Sequence, residues 1–138
     1  MNPKSTQDVV DRFNRAFAEH DPSLLDGIVA ADCIMETIQP APNGERMEGG
    51  EINLKFWRQL AADRTVSFDI EETIVMGDRV NIRWRFNFGD GQSVRGVNLV
   101  RVRDGQIVEA LAYAKAPAVA PLPDRGAPSL QPEARTST

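Results

Sequence analysis

Cysteine and histidine each occur once in this chain of 138 residues, at Cys33 and His20. A lone cysteine excludes an internal disulfide and leaves a small thiol expected to be buried, with no neighbour in sequence whose charge would activate it. A lone histidine excludes a histidine-rich metal site, and neither a Ser-His-Asp nor a Cys-His arrangement can be built without it. His20 falls at a joint between helical segments, next to a cap, where a structural or solvated role is expected over general-base work. Gly-rich phosphate motifs are missing too: the run MEGGE precedes a helix but lacks the phosphate-loop lysine and spacing. No metal and no cofactor are therefore expected.

Long apolar runs are absent, and the N-terminus carries no signal-peptide pattern. The expectation is a soluble, unexported chain without a membrane partner, with the cytoplasm as its compartment. An excess of basic charge is lacking as well. The formal net charge of −4 and a pI near 5.0 argue against nucleic acid as the main partner. Arg83, Arg85, Arg95, Arg101 and Arg103 fall on one face of the strands described below, but Asp69, Glu71 and Glu109 share that face and no aromatic row interleaves with them.

With 41% hydrophobic residues, the chain is the size of one domain and can bury a core. From Ala116 onward it holds five of the nine prolines and no aromatic residue. Such a segment cannot bury enough surface to offset its ordering entropy, so the domain is expected at 1–115 and a Pro/Ala-rich disordered tail at 116–138.

Val9, Val10, Phe13, Ala16 and Phe17 recur at helical spacing behind Ser5 and Thr6, which can cap a first helix. Asp21-Pro22 predicts a short second helix through Leu24, Leu25, Ile28 and Val29. A short strand, Cys33 to Ile38, carries Glu36 and runs into a loop rich in Pro, Asn and Gly. A third helix over 51–63 places Ile52, Phe56 and Leu60 on one stripe with Trp57 beside it. Four strands follow, near 65–76, 79–88, 93–103 and 106–115, separated by Gly77-Asp78, Gly89-Asp90-Gly91 and Asp104-Gly105.

Alternation along these strands carries the functional information. Val80, Ile82, Trp84, Phe86 and Phe88 form a strongly apolar row that should meet the helices. By the same logic Asn98 lies inward, an amide among Val94, Gly96, Val100 and Val102. In the last strand Ala110, Ala112 and Ala114 alternate with Ile107, Leu111 and Tyr113, and periodicity alone does not say which row points in. If the alanines do, the interior has a pocket, into which Asn98 projects; otherwise the aromatic residues close the gap and Asn98 serves a backbone group.

The element order, the stretch VVDRFNRAFAEHDPSLLDGIVAADCIMET, the Pro-Asn-Gly loop before FWRQL, and RGVNLVRVRDGQIVEALAYAK resemble the SnoaL-like branch of the nuclear transport factor 2-like superfamily over about residues 6–115. The resemblance implies an α+β roll of cystatin type: a cone-shaped, curved antiparallel sheet wrapped round three helices, with one apolar cavity per subunit, commonly as a homodimer. Relatives include ketosteroid isomerases, polyketide cyclases, epoxide hydrolases, a dehydratase and non-catalytic binding proteins, so fold does not fix function. Matched to the isomerase pattern, the oxyanion tyrosine falls at Phe13, the base aspartate at or beside Thr37, and the second oxyanion-hole residue at Asn98. The chain is therefore not expected to be a ketosteroid isomerase.

Two candidate catalytic residues follow. Asn98 offers amide donors to a substrate oxygen, and Glu36, if it faces an apolar cavity, is the candidate base. If Thr37 takes the inward position instead, alternation turns Glu36 outward. Phe13, Phe17, Thr37, Phe56, Trp57, Trp84, Phe86, Ala110 and Ala112 are the expected substrate-binding residues. The expected partner is a small apolar carbonyl or polyketide-like ligand, handled either by acid/base isomerisation, cyclisation, dehydration or hydrolysis, or by simple binding. A homodimer is expected through an outer patch of Val97, Leu99, Ile107, Leu111 and Tyr113.

Overall fold

The structure is a computed structural model that describes residues 5–116. The tail expected at 116–138 lies, but for Ala116, outside the described residues. Helix α1 (Thr6–Ala18) buries Val9, Val10, Phe13, Ala16 and Phe17 on one stripe. Ser5 caps it, its Oγ accepting the Asp8 amide at 3.0 Å. The helix stops at His20, whose backbone is left-handed with φ 54°. The His20 ring then ties α1 to the helix that carries Ala61, with Nδ1 at 3.0 Å from the Ala61 carbonyl. A carbonyl only accepts, so Nδ1 carries the ring proton in this contact.

The expected second helix is instead a single 3₁₀ turn, Pro22–Leu25, capped by Asp21. Gly27, at φ 82°, ends it, and the chain is already extended by Val29. Four residues between a proline and a left-handed glycine are too few for an α-helix. The architecture accordingly has two α-helices, α1 and α2 (Gly50–Ala62), rather than three. The buried stripe of α2 is also rotated from the expected one. Asn53, Trp57 and Ala61 are buried, while Ile52 is 48% and Phe56 38% exposed. The cause is Asn53: its Nδ2 lies 2.9 Å from the Cys33 carbonyl, 3.0 Å from that of Met47 and 2.8 Å from that of Gly49. Those bonds pin the start of α2 against the strands beneath it.

Six strands form one curved sheet: β1 (Val29–Glu36), β2 (Arg46–Glu48), β3 (Ser67–Met76), β4 (Arg79–Asn87), β5 (Ser93–Arg103) and β6 (Gln106–Ala114). Their spatial order is β2-β1-β6-β5-β4-β3. Strands β3 to β6 make an antiparallel meander. Its last turn has Asp104 at φ 51° and Gly105 at φ 77°, the pair of positive angles that an Asp-Gly hairpin turn uses. The sheet is mixed rather than wholly antiparallel, because β1 runs parallel to β6. That pairing joins segments about seventy residues apart, with α2 and four strands between them. Strand β2, a polar three-residue piece, was not expected.

One irregularity decides which residues face the helices. Val102 stands opposite Ile107 while Arg101 stands opposite Glu109, so β6 carries an extra residue at Val108. Ile107 and Ala110 both turn inward as a result, at 0% and 2% exposure. Ile107 therefore leaves the outer patch in which alternation had put it.

Candidate functional site

Beyond the bulge, β6 presents Ala110, Ala112 and Ala114 to the interior, and these small side chains do not reach α2. A cavity of about 470 Å³ opens there, within the ~300–1,000 Å³ usual for small-molecule pockets. Its walls come from Phe56, Trp57 and Leu60 of α2, Phe68 of β3, Trp84 and Phe86 of β4, Val94 and Asn98 of β5, and Met35 of β1. Thr37, Ile38, Gln39, Glu45, Phe88, Lys115 and Ala116 complete the lining. Exposure orients it. Trp57, Trp84, Met35 and Ala110 are at most 4% exposed and mark the deep end, whereas Ile38 at 41% and Phe88 at 46% mark the mouth.

Trp84 reaches its place because its neighbour across the β4–β5 register is Gly96. A Cβ at Gly96 would collide with Cη2 and Cζ2 of the Trp84 ring, so only glycine lets the indole lie there. Rings at 5.5 Å connect Trp84 to Phe68, and Phe68 to Phe86 at 4.7 Å. Asn98 pairs across the register with Ile82, which is 1% exposed, so the amide faces inward. Its Oδ1 is buried without a hydrogen-bond partner.

Of the expected substrate-binding residues, Thr37, Phe56, Trp57, Trp84, Phe86, Ala110 and Ala112 line this cavity. Phe13 and Phe17 do not; they line a smaller void behind it. Glu36 is the main correction. It stands opposite Arg46 on β2 and Leu111 on β6, and its carboxylate is 3.7 Å from Arg46. Strict alternation gives the inward positions on either side to Met35 and Thr37, so Glu36 is on the outer face and outside the cavity lining.

Thr37 is itself fully engaged. Its Oγ1 donates to the Gln39 carbonyl at 2.7 Å and accepts from the Glu45 amide at 2.8 Å. The Thr37 amide also donates to the Glu45 carbonyl at 3.0 Å. These bonds close the Pro-rich loop and bring Glu45 to the cavity. Sequence reading missed Glu45, and the only signal for it is the chance that a loop residue folds back on Thr37. Among the described residues, Glu45 and Lys115 are the titratable residues in the cavity lining, and both are exposed. No three His, Cys, Asp or Glu side chains cluster as metal ligands would among the described residues, and no helix there is long and apolar enough to cross a membrane.

A sheet curved round two helices, with one end of its concave face hollow, defines a nuclear transport factor 2-like, cystatin-like α+β fold. Within that class the chain belongs to the SnoaL-like domain family, whose model matches residues 10–110. A nuclear transport factor 2-like protein of unknown function from Mesorhizobium loti is 47% identical over 80% of this chain and 91% of its own, with a TM-score of 0.78. A candidate ketosteroid isomerase from Kribbella flavida is 17% identical, covering 96% of this chain and 93% of its own, with a TM-score of 0.72. An LEH-like epoxide hydrolase from Mycobacterium tuberculosis is 20% identical over 83% of each chain, with a TM-score of 0.63. The last two likenesses carry fold alone. Comparison with curated proteins gives no match.

Proposed function

We propose that the cavity takes a small apolar carbonyl or polyketide-like compound, its oxygen directed to Asn98. The observation that carries this reading is the inward amide of Asn98 in the wall of a largely apolar cavity. A buried amide in such a wall costs free energy unless polar groups meet it: its Nδ2 can donate to a ligand oxygen, whereas the unpartnered Oδ1 needs a donor.

Glu45 favours going further, to cofactor-independent acid/base chemistry of the isomerase, cyclase, dehydratase or hydrolase kind. Proton transfer then falls to this carboxylate at the cavity's edge in place of Glu36, with Asn98 steadying a developing enolate oxygen. A panel of cyclic enones, epoxides and β-keto esters tests both levels, with binding read by calorimetry and turnover by product analysis. Glu45→Gln should keep binding and lower turnover by about 10²–10⁴-fold. Binding without turnover in the wild-type protein would leave a non-catalytic pocket, and no binding at all would end the proposal.

The same reading includes a homodimer through the outer sheet face. Leu99 faces Leu111 and Val97 faces Tyr113 across β5–β6, with Leu99 37% and Tyr113 54% exposed. Ile74, at 42%, extends the patch, and ion pairs such as Arg83–Glu72 and Arg95–Glu71 flank it. Leu111→Arg should convert a dimer to a monomer in light scattering; an unchanged dimer would place the contact elsewhere.

A further inference from the structure

Behind the main cavity lies a void of about 50 Å³, lined by Phe13, Asn14, Phe17, Trp57, Leu60, Phe68, Ile70, Ile82, Trp84 and Asn98. Trp57, Leu60, Phe68, Trp84 and Asn98 also line the main cavity, so one wall separates the two. Among the described residues, five buried side-chain polar atoms have no hydrogen-bond partner, and three belong to residues of this void: Asn14 Oδ1, Trp84 Nε1 and Asn98 Oδ1. The Asn14 amide is oriented by its other end, Nδ2 donating to Thr73 Oγ1 at 3.1 Å. Trp84 is only 4% exposed. An unmet buried donor or acceptor of this kind carries the full cost of losing its water.

The chemistry of the three atoms is specific. The indole N–H can only donate, and the two amide oxygens can only accept. A carbonyl oxygen would meet the indole alone. An O–H group meets the indole with its lone pair and one amide with its hydrogen, and a water molecule meets all three. The volume suffices for one such group, since a site of about 10–15 Å³ of probe-occupied space holds a water when two to four polar partners surround it.

We infer that this void is a seat for one O–H group at the inner end of the ligand cavity, held by Trp84, Asn98 and Asn14. The inference rests on the proposed ligand cavity only for the arm in which a ligand hydroxyl fills the seat; water fills it without any ligand. Where a ligand enters, the seat selects a hydroxyl or the enol form of a carbonyl over its keto form, because only the former supplies the hydrogen that an amide oxygen accepts.

The test uses the full chain and three probes of equal ring size: 2-naphthol, 2-methoxynaphthalene and naphthalene. Calorimetry reads their affinities, and NMR reads magnetisation transfer between long-lived water and the Trp84 indole proton. Without probe, the wild-type protein should show that transfer, and Asn98→Leu should abolish it. If naphthol binds about tenfold tighter than the other two, as one net hydrogen bond allows, and its binding quenches the water signal, a ligand hydroxyl has replaced the water. If all three bind equally and the water signal survives, water alone occupies the seat, and the inference holds in that form. If none of the probes binds but the water signal is present, the ligand cavity fails as a reading for this probe class and the seat stands. Absence of both the water signal and the naphthol preference overturns the seat. So does persistence of either in Asn98→Leu and in a second variant, Asn14→Leu, each checked for native circular dichroism.

Discussion

The concave face of the sheet has a packed end and a hollow end, although β4, β5 and β6 build both. At the packed end Val80, Val100, Val102 and Ile107 are at most 4% exposed and meet Val9, Val10, Leu25 and Ile28, all at 0%. At the hollow end β4 offers larger side chains, Trp84 and Phe86, yet space remains. The difference lies in the partners. On β5 the inward row passes from Val102 and Val100 to Asn98 and Gly96, and on β6 from Ile107 to Ala110, Ala112 and Ala114. Two strands thinning in step cannot be compensated by the aromatic residues of a third. The ligand cavity is thus a property of side-chain volume on β5 and β6, laid on backbone that is otherwise continuous.

The sharpest way to break that comparison is to exchange sizes at its two ends. Ile107→Ala removes a fully buried side chain from the packed end, where the surroundings collapse only in part, and should cost about 2–5 kcal/mol in urea unfolding. Ala112→Leu adds three carbons at the hollow end, where space exists for them. Its stability should stay within about 1 kcal/mol of wild type, while affinity for the probes above falls. Overpacking of a filled interior costs about 1–3 kcal/mol, so a loss of that size with unchanged affinity would show that the two ends are equally packed.

How much of this was legible in the sequence depends on how local the cause is. The face of α1 came from five apolar residues at helical spacing, the last hairpin from Asp104-Gly105, and the inward row of β4 from simple alternation. Each is settled within a dozen residues. The parallel β1–β6 pairing was not legible, because no local pattern states which distant strand will lie alongside. The bulge at Val108 was hidden for a related reason: it exists only relative to β5, and it moved Ile107 from the outer patch to the core. Glu36 and Thr37 formed an open choice until β2 fixed it, since the pairing of Glu36 with Arg46 turns the carboxylate outward. Asn53 defeated hydropathy altogether. A polar residue buried for three backbone carbonyls rotates α2, and apolar periodicity points to the wrong stripe.

A smaller effect sharpens the boundary between the two ends. Strand β1 crosses it, with Cys33 buried at 0% and Met35, two residues on and facing the same way, lining the cavity. Burial pushes the Cys33 thiol up to about 12, with the negative charges of Asp32 and Glu109 adding to it. At pH 8 such a thiol has roughly a thousandfold less thiolate than a free cysteine of pKa ~8.5. Ellman's reagent should therefore leave native Cys33 unmodified while an otherwise identical Cys33→Ala, Met35→Cys protein reacts. A raised folded-state value also has a fixed sign in stability. The contribution of the protonated thiol is complete below about 9, its ordinary value here, and is lost as pH rises towards about 12, because the unfolded chain releases the proton first. Urea midpoints for wild type should then fall more steeply over that range than those of Cys33→Ala. Parallel curves, or rapid labelling of Cys33 in the folded protein, would move the boundary of the hollow end inward past β1's midpoint and enlarge the space open to a ligand.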